Sequence, residues 1–162
     1  MNHLYYKNGA LYSVFQENKK EYFYESGSLK TSESYEEGQL HGESLLYWQN
    51  GQLKRQCCFI RGVRDGLDQM WNEEGILLDE GSYKMGKAVG MHRRFNKNGS
   101  LIEEMEYLAA PRFNLRQWDD AGELRVEAIW DADTYREKTW DRFEKIWMRK
   151  EGYWNGKKLI YL

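Results

Sequence analysis

The sequence predicts an all-β chain, a stack of antiparallel β-hairpins repeated along its length. Three observations carry this reading. A glycine followed two residues later by an aliphatic residue recurs at Gly9/Leu11, Gly27/Leu29, Gly51/Leu53, Gly75/Leu77, Gly99/Leu101 and Gly122/Leu124, at intervals of 18, 24, 24, 24 and 23. A seventh unit fits at Glu144/Ile146, 22 residues on, without the glycine. Aromatic residues keep the same register: Tyr5, Phe23, Tyr47, Trp71, Phe95, Trp118 and Trp140 stand four residues before the turn position, and Tyr35, Phe59, Tyr83, Tyr107 and Trp130 stand eight after it. A second glycine pair recurs as Gly38/Gly42, Gly62/Gly66 and Gly86/Gly90. Periods of this length mark repeat architectures, in which each unit buries its apolar surface against its neighbours.

The elements follow in order. The first unit, residues 1–24, is six residues short, and Asn18-Lys19-Lys20 replaces the glycine connection, which predicts a tighter hairpin. In the middle units the −4 aromatic, the +2 leucine and the +8 aromatic lie at even offsets, so an unbroken extended chain sets them on one face. Odd offsets are mostly polar, with Lys30, Lys54 and Arg125 at +3 and Glu80, Glu104 and Glu127 at +5. Asn-Gly at Asn8-Gly9, Asn50-Gly51 and Asn98-Gly99 favours a tight two-residue turn. Seven such hairpins predict fourteen strands. The fifth connection, Leu108-Ala109-Ala110-Pro111-Arg112, holds the only proline and is expected to be a loop, an edge or a bulge. The last unit, residues 131–162, is degenerate. Asp131–Lys150 reads either as a further hairpin or as a short capping helix that starts at Asp133 and presents Trp140, Phe143 and Trp147 on one face. The hairpin is preferred, because the repeat resumes at Glu151-Gly152-Tyr153-Trp154. Residues 1–162 are thus expected to form a single repeat domain.

The run Tyr35-Glu36-Glu37-Gly38-Gln39-Leu40-His41-Gly42-Glu43, then Tyr47-Trp48-Gln49-Asn50-Gly51-Gln52-Leu53-Lys54, resembles the MORN repeat family in its bacterial variant type. The pattern recurs through Phe59–Leu77 and Tyr83–Leu101. The resemblance implies an elongated stack of about seven units of 22–24 residues. It also implies a non-catalytic protein-interaction scaffold of the kind labelled a YwqK-like antitoxin or immunity-type protein. The alternative it implies, from eukaryotic relatives, is a peripheral binder of phospholipid surfaces.

Composition narrows the field. Twenty-five aromatics in 162 residues are too many for a disordered tail. A net charge of −2 supplies no basic excess for a nucleic-acid duplex or an anionic membrane, so neither partner is expected. The N-terminal segment lacks the features of a secretory signal, and no apolar run approaches a membrane span. Cys57 and Cys58 are adjacent, so a strand points them to opposite faces, as two reduced thiols of a reducing compartment. The cytoplasm is the expected location.

No catalytic, cofactor or metal site is expected. Gly81-Ser82-Tyr83-Lys84-Met85-Gly86-Lys87-Ala88 matches a phosphate-loop pattern, but Ala88 replaces the hydroxyl that binds magnesium, and strands flank both sides. His3, His41 and His92 are scattered, whereas zinc needs three or four convergent ligands. Glu73-Glu74, Glu103-Glu104 and Asp119-Asp120 are neighbours that a strand turns to opposite faces, unlike the facing carboxylates of a glycosidase. The columns of Gly27, Gly51, Gly75, Gly99 and Gly122 and their register-mates are assigned to structure. Aromatics outside them cluster towards the chain ends. Tyr12, Tyr24, Trp48, Tyr135, Trp147, Tyr153 and Trp154 are the candidates for binding a partner protein or a second copy, since large aromatics dominate interface hot spots.

Overall fold

The computed structural model describes residues 2–109 and 111–162. They form fifteen strands and, among the described residues, no helix. The chain divides into two compact units, one running to Ala88 and one from Val89 onward. The first holds β1 (Asn2–Tyr5), β2 (Leu11–Gln16), β3 (Lys19–Phe23), β4 (Leu29–Glu36), β5 (Gln39–Tyr47), β6 (Leu53–Ile60), β7 (Val63–Trp71) and β8 (Leu77–Lys84). β9 (Lys87–Phe95) opens on the last residues of that unit. The second unit continues with β10 (Leu101–Tyr107), β11 (Phe113–Trp118), β12 (Leu124–Asp131), β13 (Thr134–Asp141), β14 (Ile146–Trp154) and β15 (Leu159–Tyr161). Within each unit every strand pairs antiparallel with the next in sequence, a plain meander.

The two glycine ladders make two different turns. Glu37-Gly38, Arg61-Gly62 and Met85-Gly86 all have positive φ, between 48° and 77°. Tight turns with both central residues at positive φ match the strand twist. The Asn-Gly positions behave otherwise. At Gly51 the N–H donates to the Trp48 carbonyl at 2.9 Å, and the Trp48 N–H donates to Gln52 at 2.8 Å. Gly51 is left-handed at φ 87° and Asn50 is not. The Asn50 Oδ1 instead accepts the Gln52 N–H at 3.0 Å. The expected two-residue turn is therefore a longer loop closed by an asparagine side chain, with glycine needed only once. The loops at Gly9, Gly99 and Gly122 have the same main-chain closure; Asn8 closes the first as Asn50 does, whereas the side-chain acceptors of the other two are Asn96 and Asp119, three residues before the glycine.

Each of these loops carries a bulge. Leu46 pairs with Arg55 while Tyr47 pairs with Leu53, so Lys54 is an extra residue on β6. The same extra residue, at +3, is Tyr12, Lys30, Leu78, Ile102 and Arg125 in the other loops. One inserted residue reverses alternation. The −4 and +8 columns consequently do not share a face. Tyr47 alternates with Leu45, which opposes Gln56, whereas Phe59 alternates with Cys57, which opposes Ser44. The +8 aromatics lie instead opposite the second glycine of each pair: Phe59 against Gly42, Tyr83 against Gly66 and Tyr107 against Gly90.

The ends differ from the middle in the expected direction. Gln16 pairs with Lys19, so Glu17-Asn18 is a two-residue turn and the first hairpins are short. The fifth connection is a loop between Tyr107 and Phe113, of which Ala110 lies outside the described residues. No capping helix forms from Asp133. β13 and β14 occupy that stretch, and Trp140 meets Trp147 as a cross-strand pair at 5.5 Å. The Asp133 carbonyl accepts the Trp154 N–H at 2.7 Å, while Phe143 stands 81% exposed at the turn. β15 is a strand beyond the expected fourteen.

Burial follows the single-layer arrangement within each unit. The buried positions of the first are small or charged: Ser44, Cys57 and Asp68 are successive cross-strand neighbours. Asp68 accepts from Arg55 at 2.9 and 2.7 Å and from Arg64 at 3.0 Å, so its burial is fully paired. Cys57 is buried and Cys58 half-buried on alternate faces, and burial raises both thiol pKa values, as inert structural cysteines require.

Candidate interaction face

Strand alternation gives the second unit one charged face and one apolar face. Leu115, Ala128 and Glu137 are successive cross-strand neighbours, and Val126, Trp130, Tyr135 and Phe113 share their side of the sheet. Together with Pro111 and Leu159 these residues line a pocket of about 300 Å³. Leu115, Val126 and Ala128 form its floor because their strands place short or branched apolar residues two apart. Trp130 and Tyr135 form a wall, with ring centroids 5.1 Å apart. Trp154 meets Trp130 edge-on at 6.4 Å, and Tyr161 meets Tyr135 at 6.2 Å. The Arg112 guanidinium lies 5.9 Å from the Trp130 ring, held by the Ala132 carbonyl and Asp133.

The one acidic group of the lining is Glu137. It accepts the Tyr135 phenol proton at 2.6 Å, and Lys150 approaches it at 3.7 Å. Burial, then the hydrogen bond to Glu137, raises the Tyr135 pKa above its usual value of 10, so the phenol stays a donor. The pocket therefore offers an apolar cleft, two aromatic faces and one carboxylate at its edge. Such a lining suits an apolar or aromatic side chain far better than a charged one.

The expected binding residues fall into three settings. Tyr135 and Trp154 belong to the aromatic cluster just described. Trp147 and Tyr153 lie on the other face of β14: Trp147 packs on Trp140, with Lys138 5.5 Å from its ring, and Tyr153 is exposed. Tyr24 and Trp48 stitch neighbouring loops in the first unit. The Tyr24 hydroxyl donates to the Tyr47 carbonyl at 2.8 Å, and the Trp48 indole N–H to the Trp71 carbonyl at 3.0 Å. Lys30 and Lys54, the bulge residues, stack over their rings. Tyr12 is itself a bulge residue, edge-on to Tyr6 and Tyr22. Sequence reasoning missed Leu115, Val126, Ala128 and Glu137. Their signal was available as apolar residues two apart in β11 and β12.

No phosphate cradle forms at Gly81–Ala88. The Met85 N–H donates to the Asp65 carboxylate at 3.0 Å and the Gly86 N–H to the Arg64 carbonyl at 2.8 Å. Among the described residues no three His, Cys, Asp or Glu side chains are placed to hold a metal ion, and no helix is long and apolar enough to cross a membrane.

No curated protein matches the chain. Residues 40–61, from β5 through the Asn50-Gly51 loop to the end of β6, match the model of the MORN repeat variant family. The match covers one repeat; the hairpins on either side show the same loop and bulge, and the following one also the facing glycine. Residues 40–61 are thus similar to one MORN repeat variant.

Proposed function

We propose that this protein is a non-catalytic scaffold that captures a partner protein through the apolar face of its second unit. The observation that carries this reading is the pocket walled by Trp130 and Tyr135, bordered by Phe113 at 37% and Tyr161 at 57% exposure. Large exposed aromatics around an apolar cleft are the composition of an interface centre. The antitoxin or immunity role implied by the bacterial-variant resemblance is the finer form of the same proposal. A toxin neutralised by blockade needs only a tight complex, and a scaffold without catalytic groups supplies that.

The test is retention of host proteins on the immobilised chain and on its Trp130→Ala and Tyr135→Ala forms, each checked for folding by circular dichroism. A toxin-like protein held by the parent and released by either variant supports the proposal. Unchanged retention by both variants assigns binding elsewhere and refutes this site. Self-association lost in the variants would make the occupant a second copy.

A further inference from the structure

The charged face of the second unit carries a second feature, independent of the pocket. One residue from each strand forms a column: Arg93, Glu104, Arg116, Glu127, Lys138 and Arg149 are successive cross-strand partners from β9 to β14. The first five alternate in sign and are joined at 3.0, 3.7, 3.0 and 2.7 Å. Opposite charges facing each other across a sheet are favourable and like charges are not. The alternation breaks at the last rung, where Lys138 faces Arg149. Arg149 is exposed, and no ion pair joins it to a carboxylate among the described residues.

The main chain beside Arg149 is open as well. β15 pairs only with Gly152, Tyr153 and Trp154, and the Leu162 N–H reaches the Glu151 carbonyl. No strand among the described residues covers β14 from Ile146 to Lys150. The Trp154 N–H points to β13, so alternation turns the N–H and C=O of Trp147 and Arg149 outward. Ile146 and Met148 on this stretch are 54% and 49% exposed. An uncovered edge of this kind is a template for strand addition.

We infer that β14 accepts an extended segment of a partner polypeptide, added antiparallel beyond Arg149, with an aspartate or glutamate opposite Arg149. The added acid becomes the next rung of the column and restores the alternation. The residue opposite Arg149 exchanges both main-chain hydrogen bonds with it. A second copy paired edge to edge about Arg149 would set that guanidinium against itself, which the like charge opposes. Lys150, on the other face, already has Glu137, so the selectivity belongs to Arg149.

The probe is a labelled five-residue peptide of threonine and valine with glutamate at its second position, the length of the open stretch Ile146–Lys150, added to the full chain and followed by fluorescence anisotropy. A peptide with lysine at the second position and one N-methylated at the amide of that residue are the comparisons. The glutamate peptide is expected to bind about fivefold tighter than the lysine peptide. Arg149→Glu should reverse that order, and N-methylation should weaken binding about tenfold. Equal affinity for the two charges, indifference to N-methylation, or no binding at millimolar peptide would each overturn the inference. Arg149 is exposed, so its replacement leaves the fold intact for the comparison.

Discussion

Replacing Gly152 by alanine tests how β15 is held. Gly152 has ordinary strand φ, so the change introduces no backbone strain; its effect is steric. A Cβ at this position would stand 2.5 Å from the Ile160 carbonyl oxygen and 3.0 Å from the Leu159 Cδ1. The oxygen is main chain and cannot swing aside, so β15 itself must retreat by about 1 Å. That retreat breaks a ladder of only three residue pairs. Each hydrogen bond in it contributes about 1 kcal/mol net. The Tyr135–Tyr161 edge contact adds ~0.5 to 1.5 kcal/mol. Alanine's better strand propensity returns ~0.5 kcal/mol. The expected loss is about 2 to 3 kcal/mol, confined to β15, which corresponds to roughly 30- to 150-fold faster exchange of its amide protons. Native-state hydrogen exchange read by NMR at Ile160 and Leu162, whose N–H groups face β14, measures this directly. Unchanged protection of those amides in Gly152→Ala would refute the steric argument, and an equal loss across β9–β13 would refute its locality.

Two further outcomes follow from the same geometry. Gly66→Ala should cost about 2 to 3 kcal/mol, because φ is +120° and the new Cβ would sit 3.0 Å from the Cys58 Cβ, whereas Gly90→Ala, at φ +65° with open space around it, should cost about 1 kcal/mol. Urea titrations of both variants decide this, and equal losses would sink the reasoning. Glu127 is held below its usual pKa of 4.5 by the hydrogen bond from Lys138 first and from Arg116 next. A depressed folded-state pKa stabilises above the unfolded value and is lost as pH falls through the folded one. The parent should therefore lose more stability than Glu127→Gln between about pH 5 and pH 3. Parallel pH profiles for the two would show that the column adds nothing.

Much of the fold was legible because the repeat is written in residues whose structural roles are narrow. Glycine at a left-handed position and asparagine closing a loop admit few readings, so turns could be placed from sequence alone. Besides the Asn-Gly turn type, the error of principle concerned faces. Even spacing of Tyr47, Leu53 and Phe59 implied one common face, and the bulge at Lys54 reverses it. Nothing about a lysine announces an inserted residue, since at that offset Tyr12, Leu78 and Ile102 serve equally. The bulge is set by the loop's left-handed glycine and its twist, a backbone property rather than a side-chain one. The helix at Asp133 failed for a related reason. Trp140 and Trp147 are spaced as well for a hairpin as for a helix face, and the neighbouring strands decided between the two.

The same bulge explains why surplus aromatics were an incomplete guide to the site. With the two columns on opposite faces, the aromatics beside the loops, Tyr24 and Trp48, have carbonyls of the adjacent loop within reach and are consumed in stitching. The +8 aromatics of the middle units stand opposite a glycine of the preceding strand; β11, the strand before Trp130, holds no glycine, and on the following strand Trp130 faces Tyr135. Two large rings on one rung cannot both lie flat over the same space. They stand as a wall, and the short residues beside them, Val126 and Ala128, become a floor. The pocket thus lies where the strand before the +8 aromatic no longer supplies a glycine, just as Arg149 is the point at which the charge alternation breaks. In a chain whose units otherwise satisfy one another, departures from the period are where surface remains for something else to bind. Two variants make the argument testable: Tyr135→Gly removes one ring of the wall and should lose partner capture, while Tyr135→Phe keeps the wall and should retain it.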